Sequence, residues 1–351
     1  MRAGALALLV VSACGVEGGG AGAAGDPHAR VSSPIIAGSD STADQDAVVM
    51  IKHYDAVKIG GGAEGCTGTM LAPRLVLTAR HCVAATDPQL ACEPDGSASF
   101  GGVVRESYLA SKLFAFSGVA RPDFISGLDR AARGAEIIDD QAKNLCNHDL
   151  ALILLERPLP GAKIAPVRLE GGPKVGEVTT IVGWGVTDKE ASPSVRKQRA
   201  NVKVLEVGPA AGIGPSEFRV GEGGCAGDSG GPAFAASGAI VGVLSRGGNG
   251  KDPNPEVPGV QCIGGENVFT SVSGFRDLVL SAYAKAGQDP WNEGAPDPRT
   301  VPKAEPSPAA EASDDGGCGV VRHRGEGTTA LLAAAALVAC VRRRRTRSSR
   351  A

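Results

Sequence analysis

Aromatic side chains are scarce in this 351-residue chain, at 4% of the total. Charge of one sign is lacking too. A formal net charge of -2 leaves neither the basic field that would draw nucleic acid nor a strongly acidic character. No apolar run reaches the about 20 residues that a helix needs to cross a bilayer comfortably. There is no internal repeat, no His/Cys cluster at metal-binding spacing and no phosphate-cradling loop, so no metal, cofactor or nucleic acid is expected. What the chain has in abundance is glycine, with 50 residues, and proline, with 23. That mixture suits a turn-rich β protein better than a helical bundle.

Between Ile35 and about Gly287 short apolar segments alternate with Gly/Pro turns, as in Leu75–Thr78, Leu150–Leu155, Val178–Gly183 and Ile240–Leu244. Helix is expected only at the end of this body. There Phe275, Leu278, Val279, Ala282 and Tyr283 recur at helical spacing, with Ser273 as N-cap and Gly287 beyond the last turn. About 250 residues of β-rich chain closed by one helix suits an all-β double barrel.

The two ends read as addresses. Residues 1–13 carry an apolar run after Arg2, a short export signal. Val11-Ser12-Ala13-Cys14 resembles a bacterial lipobox, in which the cysteine is lipidated; an ordinary cleaved signal is the other reading, and 14–34 is then a tether or propeptide. Residues 288–317, rich in Pro, Ala, Glu and Asp, read as an extended disordered linker. Residues 318–351 hold Cys318 between glycines, an apolar stretch from Ala330 to Val341 and the cluster Arg342–Arg345. That order resembles the tripartite sorting signals of myxobacterial surface proteins; a plain tail anchor is the alternative. Export and sorting machinery, and a membrane met through the terminal segments, are the partners that these ends imply, with a destination at the cell surface or outside the cell.

Three segments in the body carry chemistry. Leu77-Thr78-Ala79-Arg80-His81-Cys82 sets a histidine just after an apolar strand. Asn147-His148-Asp149-Leu150-Ala151-Leu152 sets an aspartate at the head of another. Gly227-Asp228-Ser229-Gly230-Gly231-Pro232 sets a serine in a glycine-rich turn. A serine hydroxyl needs a base within hydrogen-bond reach to become a nucleophile, and an imidazole needs a third group to fix its tautomer. In sequence and order these segments resemble the His, Asp and Ser motifs of trypsin-like serine proteases. Gly183-Trp184-Gly185 and Asn267-Val268-Phe269-Thr270 are similar to further strands of that family, so the resemblance spans nearly the whole body.

The resemblance implies two six-stranded antiparallel barrels with a C-terminal helix over residues 35–287. It implies a serine endopeptidase acting on proteins or peptides, with His81, Asp149 and Ser229 as its triad and the N–H groups of Gly227 and Ser229 as oxyanion hole. It pairs Cys66 with Cys82 and Cys225 with Cys262; Cys92 and Cys146 remain and are paired with each other, although six cysteines allow fifteen connectivities. Ile35-Ile36-Ala37-Gly38 is similar to the family's mature N-terminus, whose freed amine pairs with the aspartate before the nucleophile, here Asp228. Pro34 rather than a basic residue precedes Ile35, so a separate activating protease or a single-chain active form is expected. Gly223 stands where trypsin itself carries an aspartate, and with Ser245, Gly247 and Asn267 is expected to line the substrate pocket. Cleavage after small or medium uncharged residues follows, rather than after Lys or Arg. The alternatives are a catalytically silent scaffold and an esterase; the Gly-x-Ser-x-Gly elbow of lipase-type esterases is missing around Ser229.

Overall fold

The computed structural model describes residues 35–54, 65–87 and 89–300; the expected export signal, Cys14, the tail beyond 300 and Cys318 lie outside the described residues. Twelve strands form two closed antiparallel barrels. The first contains β1 (Val48–His53), β2 (Cys66–Ala72), β3 (Leu75–Thr78), β4 (Leu113–Phe116), β5 (Ala132–Ile138) and β6 (Ala151–Leu155), in spatial order β5-β6-β3-β2-β1-β4. Pairing of Ala132 with Ala115 closes it. The second contains β7 (Val178–Gly183), β8 (Lys197–Val207), β9 (Glu217–Val220), β10 (Pro232–Phe234), β11 (Ile240–Gly248) and β12 (Glu266–Ser271). Its order is β8-β7-β10-β11-β12-β9, closed where Val204 pairs with Val220, and a short strand at Ser39–Asp40 adds to β8. Closure removes the exposed edges of each sheet.

Aliphatic side chains fill both cores, as the shortage of aromatics requires. Val48, Leu71, Leu75, Leu77, Leu152 and Ile153 are buried in the first barrel; Ile181, Val204, Val220 and Val241 in the second surround the stacked pair Phe218–Phe269. Between the barrels lies a fully buried guanidinium that sequence reading did not single out. Arg196 donates to Val48 O, Thr42 O, Ser41 Oγ and the Asp46 carboxylate at 2.7–3.0 Å, satisfying a charge that would be costly to bury alone.

Helix α1 (Arg276–Ala286) buries Val279, Ala282 and Tyr283 against the first-barrel core, and Gly287 ends it in the left-handed region at φ 68°. Its N-cap is Phe275 rather than the expected Ser273, because a 3-10 turn at Val272–Phe275 takes up the first residues of the segment.

The expected linker is corrected at its start. The chain does not leave the body at Gly287: residues 288–293 lie along it. Val167 N–H donates to Trp291 O at 2.8 Å and Glu293 N–H to Val167 O at 3.0 Å. Arg168 forks onto both Glu293 oxygens at 2.5 and 2.8 Å and reaches Glu177 with its remaining amine at 2.7 Å. Composition missed this strap because backbone pairing, Arg168, Ser237 and the single side chain of Trp291 dock it, not an apolar stripe. Glu293→Ala is expected to lower stability by about 1–2 kcal/mol at pH 7, the range of charge-assisted hydrogen bonds. The arginine holds the Glu293 carboxyl down to about 2, below its ordinary 4.5. The wild-type advantage is therefore full above pH 4.5 and vanishes as pH falls towards 2, which urea unfolding across that range measures.

Candidate active site

Antiparallel pairing brings the histidine and the aspartate together. β3 runs into a single 3-10 turn, Arg80–Cys82, and pairs with β6, Ala151 opposite Thr78. The end of β3 thus meets the head of β6. His81 N–H donates to Asp149 Oδ1 at 3.0 Å, and His81 Nδ1 lies 2.8 Å from Asp149 Oδ2. Ser245 Oγ, from β11 of the other barrel, donates to the same Oδ2 at 2.7 Å. Asp149 is 1% exposed, and these donors together satisfy its buried charge.

Electrostatics follow from that geometry. Burial pulls the His81 imidazole towards its neutral form, but the Asp149 charge and hydrogen bond outweigh it and hold the pKa above the usual 6.5. Burial likewise disfavours the Asp149 carboxylate, and His81 and Ser245 overcome this, so its pKa stays below the ordinary 3.8.

Ser229 sits in the turn between β9 and β10, and a threonine from the first barrel clamps that turn. Thr67 N–H donates to Ser229 O at 2.8 Å and Thr67 Oγ1 to Gly227 O at 2.9 Å. Gly227 and Gly230 have φ of 95° and 80°. A Cβ on Gly230 would come within 2.1 Å of Thr78 Oγ1, so the turn needs glycine there. Sequence reading missed Thr67 because a threonine in a strand carries no signal of its own; its position directly after Cys66 was the available clue.

His81, Asp149 and Ser229 open into one cleft of about 370 Å³, which Ser245, Gly247 and Asn267 also line. The Ser229 hydroxyl has no hydrogen-bond partner among the described residues. Nor do the N–H groups of Gly227 and Ser229. The pocket differs from expectation at Gly223. That residue is buried against Ile181, with Asn267 Oδ1 near it, and it is Gly224 that lines the cleft. The Asn267 amide explains this, since it accepts from Gly224 N at 2.9 Å and donates to Gly224 O at 3.1 Å, closing the floor with a neutral group. Arg246 also lines the cleft, but forks onto the fully buried Glu217 carboxylate at 2.6 and 2.8 Å, so its charge is compensated.

Disulfides join Cys66–Cys82, Cys92–Cys146 and Cys225–Cys262, with Cα separations of 6.0, 5.5 and 5.6 Å. The first braces the turn that carries His81, and because its sulfurs are bonded to each other they offer no thiolate to a metal beside the imidazole. Asp228 lies fully buried behind Ser229 and accepts from Gly185 N at 2.7 Å and Cys225 N at 2.9 Å. Burial pushes its carboxyl up to about 7, against the pull of these hydrogen bonds and of the Arg121 charge. Ile35 is fully buried, with φ 43°, a left-handed conformation that a β-branched residue adopts only under strain.

Comparison with known proteins places this arrangement. The trypsin family profile matches residues 126–263, a span that contains Asp149 and Ser229. Beta-fibrinogenase mucrofibrase-1 of Protobothrops mucrosquamatus is 30% identical over 272 residues, covering 72% of this chain and 90% of that protein. Trypsin eta of Drosophila erecta is 26% identical, over 73% of this chain and 93% of its own. A mutant of human heparin binding protein has the same fold, with a TM-score of 0.50 at 19% identity, over 73% of this chain and 99% of its own. The chain belongs to the trypsin family and is a serine-type endopeptidase.

Proposed function

We propose that Ser229 is the nucleophile of an acyl-enzyme mechanism, with His81 as its base. His81 takes the hydroxyl proton as Ser229 attacks the scissile carbonyl, then returns it to the leaving amine. Asp149 keeps the Nδ1 proton facing itself and stabilises the imidazolium. The Gly227 and Ser229 N–H groups receive the oxyanion, a contribution worth about 3–4 kcal/mol per donor in such sites. Water then repeats the sequence on the acyl-enzyme. The observation that carries this reading is the 2.8 Å His81–Asp149 contact in the lining of the cleft that Ser229 also lines. Labelling with a fluorophosphonate tests it: attachment at Ser229 supports the proposal, and attachment elsewhere or nowhere defeats it.

Substrate choice is proposed from the floor of the pocket. Asn267 supplies no negative charge and occupies space, which favours small or medium uncharged residues before the scissile bond and disfavours Lys and Arg. Asn267→Gly is expected to raise kcat/KM for Leu or Phe at that position about tenfold relative to Ala, while basic residues stay poor. A peptide library profiled on both proteins gives the answer, and a wild-type profile dominated by Lys/Arg would refute it.

Cleavage before Ile35 by a separate protease, with the new amine pairing to Asp228, belongs to the same proposal; the buried Ile35 and an Asp228 whose hydrogen-bond donors are backbone amides rather than a cation support it. Export and surface display, through lipidation of Cys14 or sorting at Cys318, rest on the terminal segments of the sequence. Among the described residues no helix is long and apolar enough to cross a membrane.

A further inference from the structure

Asp228 meets a positive charge through a peptide group. The segment joining β4 to β5 carries Arg121, whose backbone N–H donates to Ser194 O at 2.8 Å while Ala120 pairs with Val195. With its backbone so fixed, the side chain donates from Nε to Pro193 O at 2.7 Å and from Nη2 to Trp184 O at 2.8 Å, its guanidinium 5.9 Å from the Trp184 ring centroid. Trp184 O and Gly185 N–H belong to one peptide unit, and that N–H is the donor to Asp228 Oδ1 at 2.7 Å. The order is guanidinium, carbonyl, amide, carboxylate. Each bond polarises the next, so the peptide passes part of the arginine's charge to the aspartate.

The receiving end is tightly built. A Cβ on Gly183 would lie 2.2 Å from Asp228 Oδ1, and one on Gly185 2.5 Å from Oδ2, so the carboxylate is wedged between two glycines. The next peptide is tied to the same turn, Val186 N–H donating to Ala226 O at 2.7 Å. Resting on the reading of Ser229 as nucleophile, we infer that Arg121 is a positioning residue: through the Trp184–Gly185 peptide it holds Asp228 in place and so keeps the Ser229 turn competent while the Pro34–Ile35 bond is intact. Ile35 N is then a neutral amide and supplies no charge. Once cut, the Ile35 amine supplies a stronger partner and the need for Arg121 falls. The inference also gives a physical basis for activity in a chain whose activation site is not basic.

The test compares intact and cut forms of the full chain. Pro34→Arg creates a cutting site at Ile35 for immobilised trypsin, which is then removed, and N-terminal sequencing confirms the new end. Fluorophosphonate labelling rates and the kcat–KM split are measured for Arg121 as found, Arg121→Met and Arg121→Lys. The intact form with Arg121 is expected to label. Arg121→Met should slow the intact form about tenfold or more, through kcat rather than KM, the scale of a lost charge-assisted contact. Arg121→Lys should recover part of that loss. Cutting should bring Arg121→Met to within about threefold of the cut parent, because a direct ion pair then replaces the relayed one. Equal losses in cut and intact forms would mean a structural role and would overturn the inference. So would an intact parent that fails to label while its cut form labels, an outcome that leaves the nucleophile assignment standing. Failure of both forms to label overturns the assignment and the inference together.

Discussion

Ser229→Ala is expected to abolish fluorophosphonate labelling and to lower kcat by about 10^6-fold, the scale on which removal of a nucleophile acts in a triad. The loss should stop short of the uncatalysed rate. The proposed oxyanion donors are the backbone N–H groups of residues 227 and 229, and an alanine at 229 keeps both. A residual enhancement of about 10^3–10^4 over water is therefore expected from the oxyanion hole and binding. Folding should be unaffected, since the hydroxyl has no partner among the described residues and none of the contacts that hold the turn uses it: Thr67 N–H donates to Ser229 O, Thr67 Oγ1 to Gly227 O and Gly230 N–H to Leu244 O. A melting temperature within about 2 °C of the parent, with labelling lost, is the expected pair of results. Labelling at the parental rate would move the nucleophile elsewhere.

The parts of this site that could be read from the chain are those whose chemistry demands a particular residue type in a particular local setting. The histidine after β3, the aspartate before β6 and the serine among glycines each sit in a short segment with few substitutes. Strands such as Leu75–Thr78 and Val178–Gly183 keep the bounds expected of them, because their apolar runs are cut off sharply by turn residues. What escaped reading is what depends on tertiary placement. Thr67 is an ordinary strand residue until folding sets it against the Ser229 turn. Gly223 stands at the right distance from the serine in sequence, yet the Asn267 amide on β12 bonds to Gly224 and shuts it out of the cleft. The strap at 288–293 looks unstructured by composition, and it is folding that sets Arg168, Ser237 and the buried Val167 against its polar and backbone groups. Arg121 acts through a main-chain peptide, which no side-chain pattern records.

Asp149→Asn is expected to cost about 10^4-fold in kcat at neutral pH while leaving KM little changed. Size is conserved, so the loss comes from charge and proton placement. In the parent, Asp149 only accepts: from His81 N–H, from the His81 ring and from Ser245 Oγ. An asparagine whose oxygen faces His81 N–H turns its NH₂ towards His81 Nδ1 and Ser245 Oγ. The ring must then accept at Nδ1 and carry its proton on Nε2, which leaves no base facing the serine. The pH profile separates this from mere misfolding. In its proposed role as base His81 works only when neutral, so the rate is expected to rise with pH through its pKa, which Asp149 holds above 6.5. Without the carboxylate's charge, burial alone acts on the imidazole and drives its pKa down. The rising limb of the variant's kcat/KM should therefore lie at lower pH than the parent's, although its plateau is far lower. A limb that stays in place, or a loss of less than about tenfold, would show that the carboxylate neither orients the imidazole nor stabilises its charged form.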